Sequence, residues 1–168
     1  MVADLEFASA DRRFGLRLPA RLLNEILGYC RAAIWVETGG ILIGRYDTAH
    51  DCALVTQVTG PPADSRASRS SFTRGVRGLR HLVLRVWRDR GEYYVGEWHF
   101  HPGCSPNPSG IDRAQMRAFA ENPAHRCPEP ILVIVGGDPA TDCRISASVT
   151  ALGEMIPMLS DGATDGRV

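Results

Sequence analysis

His99 and His101 stand one residue apart in EYYVGEWHFH (92–101). That run reads as a strand, in which positions i and i+2 project to the same face. Two imidazoles one pleat apart can grip a single metal ion. Eight residues after His101 comes Ser109, and Asp112 lies three further on. Ser109 suits a helix N-cap, which puts Asp112 at the third helical position, at the edge of the same site. Zinc accepts imidazole nitrogen at about 2.0–2.1 Å and carboxylate oxygen at about 2.0–2.2 Å, and catalytic zinc keeps a position open for water. His99, His101 and Asp112 would supply three ligands of that kind. Each pattern alone also has an ordinary structural reading. A His-x-His pair can be two half-buried strand histidines, and Ser-x-x-Asp is a capping-box variant that starts a helix. The capping reading and the ligand reading are compatible.

A further acid, Glu37, precedes Gly39-Gly40 and the apolar run ILIG. It falls at the end of the first expected helix, where a carboxylate meets the helix dipole unfavourably, a small hint of another role. That helix should begin near Pro19 and place Leu22, Leu23, Ile26, Leu27, Cys30 and Ile34 on one face. Residues 39–46 and 53–60 read as strands, followed by a long polar loop over 61–71. A second helix is expected from about Arg74 to Arg90, with Val76, Leu79, Leu82, Val83, Val86 and Trp87 on one arc. Arg74, Arg77, Arg80, Arg85 and Arg88 occupy the other arc, most simply a solvated face. After the His-bearing strand comes a Pro/Gly/Ser loop, then a helix from Ser109 or Gly110 to about Glu121 and strands at 131–136 and 144–150. The alternation is irregular, which predicts a mixed α/β, or α+β, domain over residues 1–160 with a frayed tail at 161–168.

The 168 residues are enough for one domain with a sizeable core. With 44% hydrophobic and 23% charged residues the chain matches soluble globular usage. No apolar run approaches the roughly 18 residues of a membrane span, and the N-terminus lacks a secretory apolar core, so a cytoplasmic protein is expected. The 19 basic residues balance 19 acidic ones, which removes a global electrostatic case for nucleic acid or membrane. Every basic residue is Arg. Five cysteines without a CxxC pair argue against a disulfide framework and fit reduced thiols.

The order Glu37 in ETGGILIG, then His99-x-His101, seven residues beginning with Pro102, then Ser109-x-x-Asp112, resembles the JAMM motif of JAB/MPN-type zinc metallopeptidases. VTGPPADSR, SSFTR and GEWHFHPG…PSGIDR look like the small stand-alone bacterial branch, whose members often accompany E1-like and E2-like enzymes in anti-phage conjugation systems. The resemblance covers most of the chain, from the first helix to the strand near 150. It implies a cytidine-deaminase-like sheet flanked by helices and one zinc per chain on His99, His101 and Asp112. Zinc lowers the pKa of a bound water toward about 7. Glu37 is the implied general base and proton carrier, and Ser109 the implied oxyanion donor. Relatives often have Thr or Ser where this chain has Phe100, whose side chain is expected to face away from the metal. Cys104, in the ligand-bearing loop, is expected to be a spectator.

The implied activity is hydrolysis of the amide after the C-terminal Gly of a ubiquitin-like protein, from conjugates, precursors or both. The partners implied are that protein, its conjugates, and the E1-like and E2-like enzymes. Arg66, Arg69 and Arg74 are expected to contact the ubiquitin-like partner. Two enzyme readings stand side by side, an isopeptidase and a maturase that only trims a sulfur-carrier or ubiquitin-like precursor. A non-catalytic MPN scaffold would have lost the motif that this chain keeps whole. A nucleic-acid module built on the arginines lacks interleaved aromatics for base stacking.

Overall fold

The computed structural model describes residues 3–49 and 51–160. Its elements run β1 (Leu5–Ser9), β2 (Gly15–Leu18), α1 (Ala20–Ala33), β3 (Thr38–Tyr46), β4 (Cys52–Val58), β5 (Arg66–Ala67), β6 (Phe72–Thr73), α2 (Leu79–Arg90), β7 (Tyr93–Pro102), α3 (Gly110–Glu121), β8 (Ile131–Asp138), β9 (Asp142–Ala151) and β10 (Glu154–Ser160). Eight strands close into a barrel-like ring in the order β1-β10-β9-β8-β7-β3-β4-β2, while β5 and β6 form a separate hairpin. Pairing is antiparallel except between β2 and β4 and between β7 and β8. This is the mixed α/β architecture expected, with helices against both faces of a large sheet. The expected tail at 161–168 lies outside the described residues.

The strand period of two sorts side chains between two sides of the sheet. Along β3, Leu42 enters the main core, whereas Ile41 and Ile43 turn to α2 and its Val86. Along β8, Ile131, Val133 and Val135 join the main core, and Leu132 and Ile134 meet Met116 of α3. α1 packs Leu22, Leu23, Ile26, Leu27 and Cys30 into the main core. On β7, Trp98 and Phe100 do the same and are fully buried. Each such side chain contributes about 1.5–3 kcal/mol by leaving water. Their neighbours Glu97, His99 and His101 must therefore point to the opposite side, toward α3.

Two expectations need correction. α2 starts at Leu79, not near Arg74. Gly78 caps it in the left-handed region at φ 79°, and Asp64 accepts the backbone N–H groups of Val76 and Arg77 at 3.1 and 3.0 Å, so those residues belong to a loop. In consequence Val76 is exposed rather than core, and Trp87 is 58% exposed as well. The first helix ends at Ala33, so Glu37 lies beyond its dipole, one residue before β3. Strands β1, β2 and β10 were not expected from the sequence. β10 contains Pro157, a strand breaker when both edges are paired. It is tolerated because pairing with β1 begins only at Met158.

Candidate metal centre and active site

Strand β7 delivers both histidines, and α3 delivers the carboxylate. Asp112 Oδ1 lies 2.8 Å from His99 Nδ1, and Asp112 Oδ2 lies 3.5 Å from His101 Nε2. All three residues are buried, and their ligand atoms lie within 4.8 Å of one another. Two imidazoles and a carboxylate converging in a buried notch match the borderline-soft donor set of zinc. Phe100 points into the core, away from this notch.

The start of α3 fixes Asp112. Ser109 Oγ accepts the Asp112 N–H at 3.1 Å, and Asp112 Oδ2 accepts the Ser109 N–H at 2.7 Å, a reciprocal capping box. The loop before it is pinned from below. The Gly103 N–H donates to the Gly137 carbonyl at 2.9 Å, and the Ser146 hydroxyl donates to the Pro106 carbonyl. Gly136 admits this loop, because a Cβ there would stand 2.5 Å from Pro106 N. Cys104 is exposed in the loop and a free thiol. Ser109 is itself exposed, with its oxygen used as an acceptor and its hydroxyl proton free to point outward.

The base candidate arrives by register. Thr38 pairs with Phe100 and Gly39 with His99, so Glu37, the residue just before β3, follows the strand out at the His101 end of β7, within electrostatic reach of His101, Asp112 and His99. The Glu37 N–H donates to the Ser68 carbonyl at 2.8 Å, tying this residue to the β5–β6 hairpin. Burial raises the Glu37 carboxyl above its ordinary range; Asp112 adds to the rise and the two histidines oppose it. A raised carboxyl pKa suits a group that must both take and return a proton.

In the metal-free arrangement, burial opposes ionisation of Asp112. Hydrogen bonds from His99 and Ser109 nonetheless hold its carboxyl down at about 2. Burial likewise disfavours the His99 cation, but Asp112 and Glu97 on either side raise it to about 9. A metal cation would take the place of that proton.

Sequence reading missed three residues that shape the notch. Glu97 Oε2 lies 3.3 Å from His99 Nε2, on the side of the ring away from Asp112. Phe72 meets the His99 ring edge-on at 5.6 Å between centroids. Gly39 leaves the space that both rings need, since a Cβ there would stand 2.8 Å from Phe72 Cε1 and 2.9 Å from His99 Cδ2. Glu97 could have been found, because it is two residues before His99 and alternation puts it on the same face.

The three arginines part company. Arg66 and Arg69 are exposed on and beside the hairpin strand β5. Arg74 turns inward instead, donating from Nε and Nη2 to Glu97 Oε1 at 3.0 and 2.8 Å, with only 13% of its side chain exposed. Its charge is spent on Glu97 rather than presented to a partner.

Comparisons with known proteins agree with this geometry. Residues 19–148 match the family described as prokaryotic homologs of the JAB domain. A CD-NTase/cGAS isopeptidase of Enterobacter hormaechei is 44% identical over 153 residues, 91% of this chain and 84% of that protein. Another CD-NTase/cGAS isopeptidase, from Pseudomonas aeruginosa, is 34% identical over 60% of this chain and 63% of its own length. A protein of Sinorhizobium fredii named as a probable metalloprotease is 30% identical over 62% of this chain and 65% of its own. In fold, the solution structure of protein DSY2949 from Desulfitobacterium hafniense superposes with a TM-score of 0.61 at 20% identity, covering 82% of this chain and 86% of that one. With residues 19–148 matched and a relative named an isopeptidase aligned over 91% of the chain, the chain belongs to the prokaryotic JAB family, a family of hydrolytic enzymes.

Proposed function

We propose that this chain is a cytoplasmic zinc isopeptidase that hydrolyses the amide after the C-terminal Gly of a ubiquitin-like protein. The amine released is that of a conjugated target, and the names of the relatives favour a CD-NTase as that target; the anti-phage setting is what the motif resemblance implies. The observation that carries the reading is the half-buried Glu37 carboxyl, just before β3 and within electrostatic reach of His101, Asp112 and His99, beside the buried His99–His101–Asp112 group. A metal group alone would suit a structural site; a half-buried carboxylate with a raised pKa beside it suits hydrolysis.

His99, His101 and Asp112 would hold the zinc. When bound, the metal supplies Lewis acidity, which polarises a carbonyl and makes water acidic enough to be deprotonated near neutral pH. Glu37 takes that proton at its carboxylate and returns it to the departing amine, which cannot leave as an anion. Ser109 directs its free hydroxyl proton at the oxygen of the tetrahedral intermediate. No side chain needs to attack the substrate, so no acyl-enzyme forms. The hairpin that grips Glu37 through Ser68 flanks the path by which an extended Gly-ended tail would enter. E1-like and E2-like enzymes of the same conjugation system are the expected functional neighbours. No helix among the described residues is long and apolar enough to cross a membrane.

The test uses zinc-loaded protein, a ubiquitin-like protein joined to a target amine, and the same protein extended at its C-terminus. Intact mass should show one Gly-ended product from the conjugate. Glu37→Gln should retain wild-type zinc and lose at least about 100-fold in turnover, the lower end for a positioned acid–base group. Cleavage of the extended precursor alone would make the enzyme a maturase. Cutting of unstructured peptides at many sites, or full activity of Glu37→Gln, would refute the reading.

A further inference from the structure

The buried ionic group does not end at the three ligand residues. Glu97 is 6% exposed, and every polar contact it makes is with a donor or with His99. Arg74 donates twice to its Oε1, at 3.0 and 2.8 Å, and the Tyr94 hydroxyl donates to the same oxygen at 3.2 Å. Two of these donors belong to the Arg74 guanidinium cation, in a pair that is almost wholly buried, and a buried cation bonded in this way holds its partner ionised, so Glu97 is a carboxylate and an acceptor at Oε2 as well. The atom facing Oε2 is His99 Nε2 at 3.3 Å, and the proton between them belongs to the imidazole. A neutral imidazole protonated at Nε2 has its lone pair on Nδ1. That is the nitrogen aimed at Asp112.

From this chain of contacts we infer that Glu97, anchored by Arg74 and Tyr94, is a positioning residue that fixes the tautomer and ring orientation of His99 so that Nδ1 faces the metal. The inference rests on the metal reading above and concerns how one ligand is prepared. Packed neighbours restrict the same ring: Phe72 stands edge-on to it, and Gly39 leaves it room. Packing alone cannot choose between two nitrogens, whereas a carboxylate can. Outer carboxylates of this kind raise ligand basicity, and their loss typically weakens metal binding about 10- to 100-fold. The arrangement also gives Arg74 its place. It directly follows β6, so the segment that seats Phe72 on His99 also holds Glu97. The arginine acts through Glu97 and not on substrate.

The substitution Glu97→Gln makes the inference testable because Arg74 and Tyr94 demand an oxygen. The amide carbonyl must face them, which turns the amide NH₂ toward His99 Nε2. That group donates, so the imidazole proton moves to Nδ1, the nitrogen needed for the metal. Zinc affinity is read by competition with a chromophoric chelator, and ¹⁵N-histidine NMR of the zinc-loaded wild type reports which nitrogen carries the proton. The expected results are a 10- to 100-fold loss of zinc affinity in Glu97→Gln, a smaller loss in Arg74→Lys, and a protonated Nε2 on His99 in the wild type. Metal-free melting curves of the variants separate this effect from loss of fold. Equal zinc affinity in wild type and Glu97→Gln, or His99 protonated at Nδ1 with Nε2 on the metal, would overturn the inference while leaving the metalloenzyme intact. The NMR measurement decides even where a variant fails to fold. A wild-type protein that binds no zinc would overturn both.

Discussion

Helices α2 and α3 each have 12 residues and both cover the outer side of the ring, yet only one carries chemistry. α2 lies between Gly78 and Gly91, both left-handed, and no side chain caps its start. Val86 is its one buried residue, and Arg80, Arg85, Arg88 and Arg90 face solvent. α3 opens on the Ser109–Asp112 capping box and buries Asp112 and Met116. A helix that only covers a sheet can begin wherever glycine lets the chain turn. A helix whose first turn holds a proposed metal ligand must begin at one residue. Asp112 shows how this is achieved: Oδ2 closes the capping box, and Oδ1 meets His99. The same carboxylate that starts the helix completes the site.

The largest expected effect follows from that double service. Asp112→Asn keeps an amide oxygen for the Ser109 N–H but removes the negative charge from the metal notch. Zinc affinity should fall by more than about 100-fold, since changes beyond the ligands alone reach that range. Activity should disappear with the metal, while α3 survives in the circular-dichroism spectrum. Zinc retained at wild-type affinity would break the contrast between the helices, because Asp112 would then be a cap and nothing more.

Ser109 sharpens the comparison at a smaller scale. Ser109→Ala should lower turnover about 10²- to 10³-fold, the usual cost of one oxyanion donor. It should also cost roughly 1 kcal/mol of stability as a lost cap. Ser109→Asp restores the cap but presents a carboxylate where a hydroxyl proton is needed. It should recover the melting temperature and leave turnover low, with zinc content unchanged in both variants. Recovery of turnover together with stability would reduce Ser109 to its capping role.

Much of this site was legible because its elements are local. His-x-His needs only strand alternation, and Ser-x-x-Asp needs only the geometry of a first helical turn. α1, β3, β7, α3, β8 and β9 stood out as long apolar or periodic runs. What escaped was decided by distant partners. β2 is four residues long and exists because β1 and β4 flank it. Pro157 hid β10, whose free position beside β1 depends on the ring's closure. The start of α2 escaped because Asp64, over ten residues upstream, takes the N–H groups of Val76 and Arg77. Arg74 reads as one more member of a basic arc until Glu97, 23 residues away, captures it.

The smallest expected effect tests the remaining arginines. Arg66 and Arg69 belong to the hairpin segment whose Ser68 carbonyl holds Glu37, whereas Arg80 and Arg85 lie on the solvated side of α2. All four are exposed, so each charge is screened and any contact it makes with a partner is worth at most about 1 kcal/mol. Position must therefore separate them. On the proposed function, a Gly-ended tail that reaches Glu37 would pass the hairpin that holds it, with the body of the ubiquitin-like protein behind. Arg66→Glu and Arg69→Glu should each raise KM about two- to fivefold with kcat unchanged, which is roughly 0.5–1 kcal/mol of lost binding. Arg80→Glu and Arg85→Glu should alter neither constant and should leave stability within about 0.5 kcal/mol. The measurement is steady-state cleavage of the intact conjugate at two salt concentrations, since a lost ionic contact narrows the difference between wild type and variant as salt rises. An equal rise in KM from the α2 reversals would make that helix part of the docking face and dissolve the contrast with α3. No change from any of the four would confine recognition to the tail and the notch that receives it.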